Sequence, residues 1–216
     1  MGNTVGSRGN LRWNTKEVRE IRRRLKLSKI QKAVLIGLIL GDGCLAENFW
    51  KKHFRLKIEQ SDRHKEYIFW LYSTFKNWSL SGPKYLKERN AWRFYTLSHP
   101  EITKLRKIFY REKKKIIPVN IEEFFTYPIS LAVWFMDDGG VKSDKTNPTI
   151  SSYSFSGEEN ERLIKCLQKN FNLKVNLNWD GNGCRLYIPK GNIKRFLNLV
   201  SPYILPSMKY KFPLTP

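Results

Sequence analysis

The sequence predicts an α+β protein of two similar halves, each running helix, strand, helix, hairpin, helix. Three observations carry that reading. Leu35 to Gly43, LIGLILGDG, returns ninety-six positions later as Leu131 to Gly139, LAVWFMDDG. Each copy is an apolar helical run closing on Asp-Gly, and the elements that follow come in the same order. Finally, Lys115 in KKKIIP stands 73 positions after Asp42, and Lys211 in MKYKFP stands 73 after Asp138, each lysine shortly ahead of a proline.

In the first half, residues 1–13 read as a flexible polar arm. Helical spacing of Val18, Ile21 and Leu25 predicts a helix within 14–27, with a dense basic face of Arg19, Arg22, Arg23 and Arg24. Such a face is either solvated or set against a polyanion backbone. Ser28 followed by Gln31 is a capping-box signature, so the first long helix starts there and runs to Asp42. In 53–60 Phe54, Leu56 and Ile58 alternate with His53, Arg55, Lys57 and Glu59, the pattern of a half-buried strand with a basic outer face. Helical spacing resumes over 62–77 through Tyr67, Trp70, Leu71 and Phe75. KYLKERNAWRFYTLS reads as two strands about a turn at Arg89-Asn90, carrying Lys87, Arg89 and Arg93. An amphipathic helix over 101–110 closes this half.

In the second half, a helix ends at Asp138, a strand falls within 147–155, and Ser156 with Glu159 caps a helix reaching about Phe171. LKVNLNWDGNGCRLYIP reads as a hairpin turning on Asp180-Gly181 and Asn182-Gly183, and a last helix covers about Gly191 to Val200. The expected division is an arm and basic helix over 1–27, a first repeat over 28–118, a linker over 119–128 and a second repeat over 129–216.

Forty Lys and Arg against nineteen Asp and Glu give a formal charge of +21, which calls for a polyanionic partner. Nucleic acid fits. An anionic membrane surface fits less well, since no apolar run reaches spanning length and the charges are scattered along the chain. Cys44, Cys166 and Cys184 form no C-x-x-C pair, and His53, His64 and His99 are unclustered, so reduced thiols in an intracellular protein without structural zinc are expected. The N-terminal residues form no secretory segment, and Gly6 stands where a myristoylation signal wants Ser or Thr.

The chemistry concentrates at the two Asp-Gly ends. A glycine just past an apolar run stops a helix by adopting the left-handed conformation, which places Asp42 and Asp138 at helix C-termini. The helix dipole and the unpartnered carbonyls there are both relieved by a cation. Two such ends side by side gather two carboxylates and several carbonyls, hard oxygen donors suited to hydrated Mg²⁺. Gly37 and Gly41 lie on one helix face, where another backbone can approach; the second copy offers Ala132 but also the bulkier Val133 and Trp134.

The strings GLILGDG and SLAVWFMDDGG, with the two lysine strings before proline, resemble the paired signature of the LAGLIDADG homing endonucleases, in their single-chain, two-repeat form, over residues 29–213. The resemblance implies two pseudo-symmetric αββαββα-type repeats, each with a curved antiparallel sheet, packed through the two motif helices. It implies that the last acid of each motif, Asp42 and Asp138, binds metal, with Gly41 and Asp137 lending backbone carbonyls. Lys115 and Lys211 map to a basic residue kept near each center, and Gln60 to a polar residue after the first strand, a place taken in the second half by Tyr153. It further implies two or three Mg²⁺ ions, with Mn²⁺ or Ca²⁺ able to substitute for binding, in a monomer acting on a long, non-palindromic duplex DNA site.

Chemically, phosphodiester hydrolysis needs an oriented or deprotonated water and a counter-charge on the leaving oxygen, which carboxylate-held metals supply, while the lysines stabilise the pentacoordinate phosphate. The basic strand faces are expected to carry DNA binding: Arg55, Lys57, Lys87 and Arg89 in the first half, and Lys174, Asn176, Asn178, Arg185 and Tyr187 in the second. Trp13, Trp50, Trp92 and Trp179 are read as packing groups rather than base-stacking ones. The alternatives are an RNA-binding intron maturase or a non-cleaving DNA-binding protein of the same fold, in an organelle or a bacterial cytoplasm.

Overall fold

The computed structural model describes residues 15–48, 52–141, 146–179, 181 and 183–212. The arm, Trp13, Trp50, and the turn residues Asp180 and Asn182 lie outside them. The chain opens with α1 (Lys16–Arg24), α2 (Lys29–Leu40), β1 (Cys44–Glu47), β2 (Phe54–Ser61), α3 (Lys65–Phe75), β3 (Lys84–Leu86), β4 (Ala91–Tyr95) and α4 (Pro100–Phe109). A short ribbon, β5 (Tyr110–Arg111) and β6 (Lys114–Lys115), leads into α5 (Pro128–Asp138), β7 (Gly139–Val141), β8 (Pro148–Ser151), α6 (Gly157–Phe171), β9 (Asn176–Trp179), β10 (Cys184–Tyr187) and α7 (Lys190–Val200). From α2 and again from α5, the order is αββαββα. Both four-stranded sheets have the same topology, β1-β2-β4-β3 and β7-β8-β10-β9, so the fold is the α+β duplication that the sequence implies. Strands β1 and β7 leave no mark in the residue pattern, being too short to show alternation.

The chain forms two compact units, Met1–Leu27 with Leu45–Thr103, and Ser28–Cys44 with Lys104–Pro216. In the first unit, α1 is capped by Thr15, whose Oγ1 accepts from the Val18 N–H. It is fastened by Val18, which is fully buried with Leu80 and Leu97 and flanked by Ile21 and Leu25, leaving the arginine face outward. Strand β2 pairs antiparallel with β4, and Leu56, Ile58 and Phe94 are buried on the inner face. Between β3 and β4 the chain makes a 3-10 turn, Lys87–Arg89, closed by Asn90 at φ 46°. Lys87 and Arg89 therefore stand on the turn and not on a strand face, because a left-handed Asn closes a tight turn rather than extending a ladder.

In the second unit, α2 and α5 pack face to face. Residues Ala33 to Leu40 and Ile129 to Met136 are all buried, as suits helices enclosed on every side. A Cβ added to Gly37 would lie 2.5 Å from the Ser130 carbonyl oxygen and 2.8 Å from Val133 Cβ, and one on Gly41 would lie 2.5 Å from Asp137 Cβ. The Ser130 hydroxyl donates to the Ala33 carbonyl at 2.7 Å across the same seam. The helix stops differ from the expected geometry. Among the described glycines only Gly181 and Gly183 have positive φ, while Gly41 and Gly139 end their helices at φ −97° and −81°. Space, not handedness, demands glycine at these ends: a Cβ on Gly43 would sit 2.7 Å from Leu38 Cβ, and one on Gly139 would strike the Phe135 carbonyl and ring.

Trp92 does pack, its ring edge-on to Phe69 at 5.2 Å and its indole N–H donating to Asp62 at 2.7 Å. Trp179 does not. It lies on edge strand β9 and is 74% exposed, since among the described residues no strand pairs beyond that edge.

Replacing Gly37 with Ala forces a methyl into the Ser130 backbone. We expect a loss of stability of about 1–3 kcal/mol or more, as overpacking typically costs, read as a lower denaturation midpoint. Gly191→Ala, where nothing lies within 4 Å of the new Cβ, should leave stability within about 0.5 kcal/mol of wild type, as exposed positions do.

Candidate active site

The second unit carries the site. Because α2 and α5 are held together at Gly37 and Gly41, their C-terminal ends meet and bring Asp42, Asp137 and Asp138 into one neighbourhood. Asp42 is exposed; Asp137 and Asp138 are half-buried. Each end has its own lysine. Lys115, on β6, donates from Nζ to the Gly41 carbonyl, and Lys211 donates to the carbonyls of Met136 at 2.5 Å and Asp137 at 2.8 Å. The Lys115 bond to Gly41 and the Lys211 bond to Asp137 each span 74 residues, so the matched offsets in the sequence are a matched pair of contacts in space. These ammonium groups satisfy carbonyls that a helix C-terminus leaves without partners, at the negative end of its dipole. The cation that the sequence asks for at each helix end is thus supplied by lysine in this structure, on the Gly41 and Asp137 carbonyls that the resemblance assigns to metal.

The charges are strongly coupled. Burial pushes the Asp138 carboxyl up to about 7 and repulsion from Asp42 adds to this, against the pull of Lys115, the Trp134 indole and Lys211. Burial pulls the Lys115 ammonium down, opposed by Asp138, Asp137 and Asp42. A third carboxylate adds asymmetry: Asp137 Oδ2 accepts the backbone N–H of Asp42 at 2.9 Å. Gly41 is the residue that makes room for it, since a side chain there would occupy the space of the Asp137 carboxylate. The sequence reading uses only the Asp137 carbonyl and misses its side chain. The signal for it lies in the repeat itself, where Gly41 stands opposite Asp137 at equivalent positions.

The donors fit a hydrated divalent cation. Two carboxylates that repel one another, beside water-accessible surface, suit a hard ion that keeps most of its own waters. A full protein cage is not formed: among the described residues no three His, Cys, Asp or Glu side chains converge to enclose a metal.

The other expected residues fall on the sheets. Gln60 is buried at an inner-face position of β2, in the first unit, with its Oε1 3.3 Å from His64 Nδ1. On the outer face of the same sheet, the Arg55 guanidinium lies 4.2 Å from the Tyr95 ring center. Glu59 gathers Lys57 (3.7 Å), Arg89 (3.0 Å) and Arg93 (2.9 Å), and their positive charge holds its carboxyl below the usual carboxylate range despite burial. In the second sheet Asn176 pairs with Tyr187 and Asn178 with Arg185, so these four share one face. Arg185 donates to the Tyr153 hydroxyl. Lys174 precedes β9 rather than standing on it, and its backbone N–H is tied to Asn192 Oδ1 at 3.0 Å, which ends the loop before the strand begins. Cys44, Cys166 and Cys184 are free thiols. The histidines are less scattered than their spacing suggests: His53 and His99 line one cleft.

A paired-helix seam with an acid and a lysine at each end, in a chain that builds the same sheet topology twice, is the architecture of a nuclease family. The chain belongs to the LAGLIDADG DNA endonuclease family, whose model matches residues 32–196. It is 35% identical to "Probable intron-encoded endonuclease 1" of Wickerhamomyces canadensis, over 92% of this chain and 90% of the relative. It is 27% identical to the cytochrome b mRNA maturase bI2 of Debaryomyces hansenii, over 86% and 74%. The homing endonuclease I-WcaI, solved bound to its DNA recognition sequence, superposes with a TM-score of 0.86 at 33% identity, covering 98% of this chain and all of that one. I-DmoI, solved with DNA and Mn, matches at a TM-score of 0.50 and 15% identity over 81% and 97%, a likeness of fold. Among the described residues no helix is long and apolar enough to cross a membrane.

The Asp138 shift fixes a pH dependence. The ordinary Asp value is 3.8 and the folded value about 7, so the folded metal-free protein binds more protons than the unfolded chain between those limits. The contribution of this group to stability falls as pH rises through that window, by about 4 kcal/mol at most. In EDTA, Asp138→Asn should raise the melting temperature at pH 8 and flatten its decline between pH 5 and 8. An unchanged profile would show that Asp138 ionises freely in the fold.

Proposed function

We propose that the protein is a site-specific homing endonuclease that hydrolyses both strands of a long, non-palindromic duplex DNA site with a divalent cation, acting as a monomer. The observation that carries this reading is the twofold constellation at the helix seam: Asp42 and Asp138, one per repeat, coupled in charge and each accompanied by its own lysine. Asp42 and Asp138 would hold the cation, Mg²⁺ by preference in two or three copies, with Mn²⁺ or Ca²⁺ able to replace it for binding. When bound, the ion supplies Lewis acidity and a water of lowered pKa.

The remaining work falls to the chain itself. Lys115 and Lys211, anchored on helix-end carbonyls, present positive charge to the phosphate as negative charge builds on its oxygens. Asp137 fixes the backbone of Asp42, so the first carboxylate is presented in one orientation. The two half-sites are unequal, Asp137 against Gly41 and Gln60 against Tyr153, so the strands should be cut at different rates. Duplex contacts fall to the outer sheet faces and their margins: Arg55 and Lys57 on β2 with Lys87 and Arg89 on the turn before β4 in one repeat, and Asn176, Asn178, Arg185 and Tyr187 on β9 and β10 with Lys174 just ahead of β9 in the other. A relative at 33% identity bound to its recognition sequence supports DNA as the partner.

The test is cleavage of a plasmid carrying the uninterrupted host-gene junction. Asp42→Asn and Asp138→Asn should each lower the Mg²⁺-dependent rate by about 100-fold or more, the scale of losing one electrostatic stabiliser, while binding by anisotropy in EDTA stays near wild type. Nicked circles should accumulate before linear product. An intact plasmid, with tight binding by all three proteins, would leave a binding protein only. The maturase relative favours a second reading: intron RNA that outcompetes the duplex would select it.

A further inference from the structure

We propose that α1 and the cleft beside it form a separate binding site for the phosphodiester backbone of duplex DNA, outside the catalytic seam and the sheet faces. The inference rests on the reading of the protein as a DNA binder and adds a contact surface to it. The cleft lies within the first unit, has a volume of about 390 Å³, and is lined by Arg22, Arg23, Lys52, His53, His99 and Pro100. Among the described residues no acidic side chain lines it. A second concavity runs along the same helix between Lys16, Arg19, Glu20 and Arg23. The two share Arg23, so the positive stripe is extended and suits a polymer of phosphates better than one small anion.

The stripe is built rather than incidental. α1 is a nine-residue helix pinned through Val18, Ile21 and Leu25 onto Leu80 and Leu97, which fixes the direction of its arginines. Its last turn is Arg22, Arg23 and Arg24, three cations together. Packing alone does not need that density of charge. Burial and the nearby charges of Lys52 and Arg22 hold the His53 imidazole below its ordinary value. His99 is lowered chiefly by burial, opposed by Glu101 and by a hydrogen bond with the Arg22 backbone, while the charges of His53 and Arg22 push it down further. The Glu101 carboxylate is engaged by the Leu27 N–H at 3.3 Å. Arg22, Arg23 and Lys52 line the cleft with no acid among the described residues, a positive concavity of the kind in which an anion gains most. The family model begins at residue 32, so α1 lies outside the span it matches.

Backbone contacts are electrostatic, independent of sequence, and visible in the salt dependence of binding. The test uses the full chain in EDTA, where no cutting occurs, with a short non-cognate duplex and the cognate duplex over a salt series. Arg22→Gln with Arg23→Gln should weaken both duplexes by a similar factor and lower the slope of log affinity against log salt by about 1–2, near 0.9 for each phosphate that is no longer neutralised. Arg23→Gln with Lys52→Gln should do the same while leaving Arg22 in place, which guards against a misfolded first variant. Lys165→Gln with Lys194→Gln removes equal charge from the other unit and should leave the slope within error of wild type. An unchanged slope in both cleft variants, or the same drop in the control pair, overturns the site. So does loss of affinity for a structured RNA with duplex affinity kept. Wild type that binds no duplex at all would instead refute the DNA-binding reading itself.

Discussion

Everything at the helix seam depends on how closely two helix backbones approach. Gly37 and Gly41 leave no room for a side chain against Ser130, Val133 and Asp137, and the Ser130 hydroxyl bonds to the Ala33 carbonyl within that contact. Backbones this near cannot slide without breaking a buried hydrogen bond or opening a void, both costly. The consequence is electrostatic. Two helix C-termini, each the negative end of a dipole, are pressed together with three carboxylates around them. Such an arrangement is unfavourable in itself, and the fold offsets it with Lys115 and Lys211, drawn from segments 74 residues downstream of the carbonyls they meet.

That compensation is incomplete, which is why the site has a chemical character at all. Burial above all, and then repulsion from Asp42, push the Asp138 carboxyl up to about 7 against the pull of both lysines. A divalent cation fits this residual imbalance better than a third lysine, because it interacts with both carboxylates at once and brings its own waters. The duplication did not produce two identical centers. At equivalent positions one repeat has Gly41 and the other Asp137, and steric exclusion makes these choices interdependent: the Asp137 carboxylate occupies the space that a side chain at position 41 would need.

The repeat is legible in the sequence because it is written in features that survive divergence: an apolar run ending on Asp-Gly, capping boxes at Ser28 and Ser156 that the structure reproduces, and a lysine at a fixed offset. Contact partners are less legible. The offset of Lys115 and Lys211 is visible, but not that their ammonium groups bind the carbonyls expected to face metal. The helix-ending glycines are identifiable, yet the physical reason read from the pattern is the wrong one, since their role is close approach rather than left-handed geometry. The turn at Arg89-Asn90 is read from the sequence, but its extent is not: it is a 3-10 turn that takes in Lys87 as well, closed by Asn90 at φ 46°. Trp179 looks like core by its residue type; its exposure follows from β9 being a sheet edge, which no local pattern announces.

The two sheets share a topology but not a surface, and this bears on how a duplex would be read. On the first sheet, Glu59 ties Lys57, Arg89 and Arg93 into one cluster. On the second, Asn176, Asn178, Arg185 and Tyr187 line up by register without a central acid among them. Exposed ion pairs contribute little to stability, so the value of Glu59 lies in orientation. It holds long side chains in place before any partner arrives, reducing the entropy lost when they bind. It also dilutes the positive charge that would otherwise attach the face to any phosphate, leaving arginines that are positioned but less adhesive. The second face carries amide and phenol groups suited to hydrogen-bonding base edges. Two such unlike faces, if both met a duplex, would give no reason to prefer a palindrome. The sequence-independent grip that such restrained faces give up must then come from elsewhere in a chain of net charge +21, and the arginine stripe of α1 is where the first unit concentrates it.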